Sequence, residues 1–270
     1  MYGKSVRDCS MEPIIRIKNL TKFYDSHSGA KPVLKNISID IDPGQVIGYI
    51  GPNGAGKSTT VKILAGLLSD FTGDVFVKGI DIRKDPVAVK SLIGFVPELA
   101  ELYDALTPHE FLSLVGALYN LPEETVAERA GRMLDAFGLS DQANQRMDTF
   151  SKGMKQKVLI ISGLLHNPEI IILDEPLSGL DANSVIIVKE LIDKLAKNGK
   201  TIFYCSHMMD VVEKVSDRVI LIDKGEVVAD GTIDELRQLQ NKESLEDIFA
   251  GLTANESMHE ASTKLLNALD

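Results

Sequence analysis

The chain has 270 residues, with 39 acidic against 29 basic side chains and a formal net charge of -10. That balance argues against a broad basic face for nucleic acid and works against direct adhesion to anionic lipid. The length suits one large domain or two small ones with a full core, and Cys9 and Cys205 show neither paired nor metal-ligand spacing, which fits a reducing compartment.

Residues 1–11 read as a poorly ordered leader, with Met11 an alternative start. No signal-peptide apolar core is seen there. Ile14 to Leu20 alternates apolar and polar side chains, as a half-buried strand does. Asp25 to Pro32 is a polar loop. Leu34 to Ile41 alternates again and turns at Asp42-Pro43-Gly44. Val46 to Ile50 reads as a buried strand, and Thr59 to Leu68 as a helix. Gly73 to Val77 followed by Lys78-Gly79 suggests a hairpin. Ile93 to Val96 is a short buried strand.

Helical periodicity dominates from Thr107 to Met147. Thr107-Pro-His-Glu110 has the form of a capping box with proline at the first helical position. Val126, Ala130, Met133, Leu134 and Phe137 fall on one face at helical spacing. This segment reads as a helical subdomain inserted into an α/β core. The strongest apolar run, Val158 to Leu165, is interrupted by Ser162-Gly163 and falls short of a membrane span. Strands are expected at Ile170–Leu173, Thr201–Cys205, Arg218–Ile222 and Glu226–Ala229, with helices between them, including Ser184 to Lys197. Alternation of this kind implies a largely parallel sheet. Ile233 to Asp270 reads as helices with a polar break near Thr253–Glu256.

The sharpest chemical signal is Gly51-Pro-Asn-Gly-Ala-Gly-Lys-Ser58, which fits G-x-x-x-x-G-K-[ST] between an expected strand and an expected helix. A Gly-rich turn there aims backbone N–H groups and the positive helix end at one point. A polyanion such as a triphosphate satisfies those donors. The candidate contacts are Gly51, Asn53, Gly54, Ala55, Gly56, Lys57, Ser58 and Thr59, with Lys57 reaching the β- and γ-phosphates and Ser58 holding Mg²⁺. Ile170-Ile-Ile-Leu-Asp174-Glu175 is a hydrophobic strand ending in two carboxylates. Asp174 suits Mg²⁺ and Glu175 suits polarising a water. A strand that merely ends in acidic surface residues is the plainer alternative, and the nearby phosphate loop weighs against it.

Phe150-Ser-Lys-Gly-Met-Lys-Gln156 lies upstream of that strand, with Leu177-Ser-Gly-Leu-Asp181 and then Ser206-His207 downstream. In this order, from Ile14 to Leu236, the chain resembles the ATP-binding subunit of an ABC transporter. The resemblance implies a P-loop NTPase core with a largely parallel sheet, an N-terminal antiparallel β subdomain and an inserted α-helical subdomain. It implies an ATPase domain over 12–236, with the helical subdomain about 100–147 and a C-terminal helical extension over 237–270. Tyr24 falls where the family stacks an aromatic ring on adenine, with Phe23 as a stand-in. Ser151 and Gly153 match the signature positions that meet the γ-phosphate of ATP held by the other subunit. Glu175 matches the general base, His207 the residue bridging it to the γ-phosphate, and Asp181 a carboxylate at the dimer interface.

Two departures stand out. Lys152 puts an ammonium at a helix start, a mildly unfavourable place for a cation. Glu98 replaces a glutamine, and its carboxylate can still serve Mg²⁺. The Ser-Lys-Gly-Met form is similar to exporter-type subunits that pair with a separate membrane protein. The expectation is therefore a cytoplasmic ATPase using ATP and Mg²⁺. It works as a dimer with itself or a paralogue, and touches the membrane only through an integral partner. The alternative is a nucleotide-gated regulatory protein with low turnover. A switch GTPase is disfavoured, because Asn241-Lys-Glu-Ser244 lacks the aspartate that reads guanine.

Overall fold

A computed structural model describes residues 12–24, 31–99, 102–240 and 244–253. The expected leader, most of the loop over 25–32, the polar break beyond Thr253 and the rest of the C-terminal extension lie outside the described residues.

Two sheets form. β1 (Ile15–Lys22) and β2 (Leu34–Ile41) pair antiparallel. β1 runs two residues past the expected end because its register shifts between Ile17 and Leu20. Asn19 takes φ +50° there, and Leu20 stays buried. Such a bulge keeps the apolar face inward where simple alternation fails. β3 (Val46–Ile50) departs for the second sheet and leads through the Gly-rich loop into α1 (Lys57–Leu64). β4 (Thr72–Val77) and β5 (Ile80–Asp81) return to the first sheet, completing the order β2-β1-β4-β5. Their turn places Lys78 at φ +49° and Gly79 at φ +76°, the backbone a tight two-residue hairpin demands.

α1 begins at Lys57 and ends at Leu64, earlier at both ends than expected. Gly66 stops it at φ +68°, with Gly66 N–H donating to Ile63 O and Leu67 N–H to Lys62 O. These bonds close the helix in a Schellman turn.

α2 (Pro86–Leu92), capped by Asp85, precedes β6 (Ile93–Val96). α3 (Pro108–Leu118) carries the full Thr107/Glu110 capping box, and α4 (Glu123–Ala136) buries Val126, Ala130 and Leu134. α5 (Lys152–Leu164), β7 (Ile170–Asp174), α6 (Ala182–Lys197), β8 (Thr201–Cys205) and α7 (Met209–Val215) follow. β9 (Arg218–Asp223), β10 (Glu226–Gly231), α8 (Ile233–Gln240) and α9 (Leu245–Thr253) complete the described chain. The boundary expected after residue 236 falls inside α8, and Leu245 and Ile248 of α9 join the same core as Leu236.

The second sheet has the order β10-β9-β3-β8-β7-β6, parallel throughout except for β10. Its inner strands are apolar on both faces. Ile47, Tyr49, Ile170, Ile172 and Phe203 face α1 and the small sheet. Ile50, Ile171, Leu173, Ile202 and Tyr204 face α4, α5 and α6. A parallel strand covered on both sides reads as a continuous hydrophobic run, as these do.

Ser162-Gly163, which interrupts the apolar run in the sequence, lies inside α5. The glycine is a contact surface. A Cβ added at Gly94 of β6 would stand 2.1 Å from Gly163 O and 2.6 Å from Pro168 Cγ. Backbone approach this close seats α5 against the sheet. Gly94→Ala should therefore destabilise the fold by about 1 to 3 kcal/mol through overpacking. Urea unfolding measures this, and an unchanged midpoint would show that α5 can move aside at no cost.

Candidate nucleotide site

Four parallel strands end on one side of the sheet, the crevice where open α/β sheets bind ligands. β3 ends in the phosphate loop, β6 runs into Glu98, β7 delivers Asp174 and Glu175, and β8 leads to Ser206-His207. Asn53, Gly54, Gly56, Lys57, Ser58 and Thr59 share a cleft of about 470 Å³ with Glu98, Asp174, Glu175 and His207. Val33 also lines it, a residue that no motif marks in the sequence.

The loop is held from below. Tyr49 Oη lies 3.1 Å from Thr60 Oγ1, and Thr60 Oγ1 lies 3.2 Å from Gly56 O, all buried under the start of α1. Gly54 at φ +80° and Gly56 at φ +109° adopt backbone that side chains resist. Among the described residues no side chain caps α1, so its first N–H groups face the cleft without a side-chain partner. Lys57 Nζ donates to Gly51 O at 2.6 Å and to Pro52 O at 3.2 Å, folded over its own loop. Gly51 and Ala55 lie beneath the cleft and do not line it. Ala55 is buried and its N–H donates to Pro52 O. A Cβ at Gly51 would stand 2.2 Å from Ile222 O.

Three carboxylates, Glu98, Asp174 and Glu175, crowd one wall of the cleft. Asp174 is 5% exposed. Its carboxyl is pushed up to about 6, first by burial and then by Glu98 and Glu175, with Lys57 and Lys62 opposing weakly. Glu175 sits at φ +47°, and its N–H donates to Cys205 O. His207 Nδ1 lies 2.8 Å from Glu175 Oε1, and Ser206 Oγ donates to Oε2 at 3.1 Å. A carboxylate only accepts, so Nδ1 carries the proton.

The remaining expected residues stand outside this cleft. Tyr24 is exposed, yet its Oη is 3.2 Å from Thr59 Oγ1, and Lys22 Nζ lies 5.1 Å from its ring centroid. Ser151 caps α5, accepting from Met154 N–H at 3.2 Å, and is exposed. Gly153 abuts Gly179 O. Asp181 caps α6 through Ser184 N and Oγ at 2.9 and 2.6 Å and pairs with Lys157 at 3.1 Å. Those bonds, Ser184 first, hold its carboxyl well below the usual range. The sequence reading missed this capping role, although an aspartate one residue before a helix signals it.

A cation suits the cleft. Ser58 offers a hydroxyl and Asp174 and Glu98 offer carboxylates, oxygen donors fitting Mg²⁺. Among the described residues, no group of three or more His, Cys, Asp or Glu forms a complete metal cage. Mg²⁺ commonly takes one or two carboxylates and completes its shell with water and substrate phosphate.

The family model for "ABC transporter" matches residues 34–178. The chain belongs to the ABC transporter family. Over 223 residues it is 39% identical to the linearmycin resistance ATP-binding protein LnrL of Bacillus subtilis (strain 168), covering 83% of this chain and 70% of LnrL. The solved structure of an ATP-binding subunit of an ABC transporter superposes with a TM-score of 0.82 at 31% identity, over 89% of this chain and all of that one. A dimeric ATP-binding cassette in a post-hydrolysis state, bound to ADP and Pi, gives a TM-score of 0.75 at 29% identity, over 81% of this chain and 98% of that one. The fold is thus that of an ABC ATPase cassette, and the chain is an ATP-binding subunit of this family.

The raised Asp174 carboxyl carries a sign. The folded state holds this proton more tightly than the unfolded chain does. Keeping Asp174 ionised therefore costs stability that grows as pH rises from about 4 to about 6 and is constant above. In chelator at pH 7, Asp174→Asn should stabilise the ligand-free protein by about 2 to 3 kcal/mol. The gain should vanish below pH 4. Denaturant unfolding at both pH values checks this, and a destabilised variant at pH 7 would contradict it.

Proposed function

We propose that this ABC subunit hydrolyses ATP and so powers export of a substrate through a separate membrane-spanning partner. The carrying observation is the division of the site. Lys57, Ser58, Glu98, Asp174, Glu175 and His207 share one cleft, while Ser151 and Gly153 lie outside it on the start of α5. A second subunit, identical or paralogous, would bring its Ser151 helix end to the open side of a bound triphosphate. The dimeric neighbour bound to ADP and Pi supports that reading.

In this reading the loop amides and Lys57 exchange their internal partners for the β- and γ-phosphates, as in other P-loop proteins. Ser58, Asp174 and Glu98 would hold Mg²⁺, which supplies charge neutralisation to the phosphates when bound. Tyr24 supports the adenine ring. Glu175 orients a water and takes its proton as the water oxygen bonds the γ-phosphorus. The bond to the β–γ bridging oxygen breaks and ADP leaves. His207 keeps the Glu175 carboxylate aimed. Lys57 and the neighbour's Ser151 stabilise the developing charge. Asp181 acts at the interface by holding the start of α6.

Among the described residues no helix is long and apolar enough to cross a membrane. Leu99, Tyr103 and Leu118 are exposed beside Glu98 and along α3. Apolar side chains so placed suit a protein partner that senses the cleft. We assign the ATPase domain to 12–236, with the helical subdomain about 100–147 and with α8 running across the 236 boundary to carry α9 onto the same core, and we assign the subunit to the cytoplasmic face. The relative named for linearmycin resistance favours export over uptake.

Glu175→Gln should lower kcat by about 100-fold or more while ATP binding stays within about threefold. The variant should sediment as a dimer in saturating ATP, and a monomer there would remove the shared site. Lys57→Ala should weaken binding of a fluorescent ATP analogue by about tenfold or more, since a charge-assisted contact is lost. Unchanged affinity would place the triphosphate elsewhere.

A further inference from the structure

The loop after Glu175 is fastened to α5 at three points. Gln156, fully buried, donates through Nε2 to Pro176 O at 3.2 Å. Lys157 pairs with Asp181 at 3.1 Å. Lys152 Nζ donates to Ser178 Oγ at 2.9 Å. Lys152 and Gln156 stand one helical turn apart on one face. The loop is compact on its own side, with Ser178 N–H bonding Glu175 O and Leu180 N–H bonding Leu177 O.

Lys152 is the unusual member. It occupies the first position of α5, whose first turn holds no acid. A cation there faces the positive helix end. Among the described residues it meets no carboxylate, and a neutral hydroxyl is its hydrogen-bond partner. Its stem fills the space above Gly179. A Cβ at Gly179 would stand 3.0 Å from Lys152 Cγ and Cδ, and Gly179 has φ +78°. The backbones also touch, since a Cβ at Gly153 would stand 2.6 Å from Gly179 O.

We propose that Lys152 is a positioning residue that locks the 176–181 loop onto the first turn of α5, so that Glu175 in its own cleft and Ser151 at a neighbour's nucleotide move together. The inference rests on the shared-site reading above. Each chain then carries the state of its own cleft to the other through a rigid segment of a few residues. Lys152 itself touches neither nucleotide in this assignment.

A double-mutant cycle tests it. Lys152→Met keeps the stem and removes the donor, Ser178→Ala removes the acceptor, and Lys152→Arg keeps a donor. Each of the first two should lower kcat by about fivefold, and the double variant should be no worse than either, because one interaction is being removed twice. Affinity for a fluorescent ATP analogue should stay within about twofold in each, since the phosphate loop is intact. The ATP Hill coefficient should fall towards unity, and Lys152→Arg should restore both kcat and cooperativity. Amide exchange, read separately by mass spectrometry without nucleotide, should rise together in 176–181 and the first turn of α5. β7 should not change.

Additive losses in the double variant would overturn the proposal. So would wild-type kinetics in Ser178→Ala beside a defective Lys152→Met, which would mean that the charge acts and not the tether. Exchange that rises without any change in kcat or cooperativity would overturn it as well. A wild-type chain with no turnover beside its dimer and membrane partners defeats the ATPase reading instead, and uncoupled exchange in that case defeats the tether independently.

Discussion

The cleft depends on an electrostatic imbalance. Glu98, Asp174 and Glu175 converge on a space whose loop ammonium, Lys57, is turned back onto its own backbone carbonyls. Burial sharpens the effect, because a carboxylate removed from water without a positive partner gives up its proton reluctantly. The arrangement carries a cost in stability, which the proposed cation and triphosphate would offset. The parallel sheet makes it possible by ending four strands on one side, each backed by apolar cover on two faces. Functional sites commonly hold such locally unfavourable groups, with the surrounding core supplying the stability.

Much of this was legible in the sequence, for identifiable reasons. Continuous apolar runs such as Ile170 to Leu173 announced strands buried on both faces. The strand-loop-helix context of Gly51 to Ser58 located the cleft, and the carboxylates after Leu173 supplied its opposite wall. The capping box at Thr107 and the hairpin glycine at Gly79 are local devices, set by a few neighbouring residues, and both formed as read.

What the sequence hid were contacts between distant segments. Gly163 looked like an interruption because only the fold brings Gly94 beneath it. The continuation of β1 through Lys22 depends on a bulge at Asn19 that alternation alone does not encode. α2 carried a readable start in Asp85-Pro86 and was passed over because its seven residues are too few for a clear period. Asp181 stands in a motif associated with an interface, and its carboxylate also caps α6 through Ser184 and pairs with Lys157, a partner 24 positions earlier that no local pattern announces.

The left-handed backbone at Glu175 has a further consequence. Most acids on a strand end swing about their side-chain torsions, so their reach is a matter of rotamer choice. At φ +47° the main chain itself is bent, and it is pinned by the Glu175 amide to Cys205 O. The main chain thus sets the Cα–Cβ direction, and Ser206 and His207 hold the carboxylate at the far end of the side chain. A substitution here can change the tip of the side chain, but it cannot readily move the corner, because β7 and β8 meet there and Pro176 follows Glu175 directly.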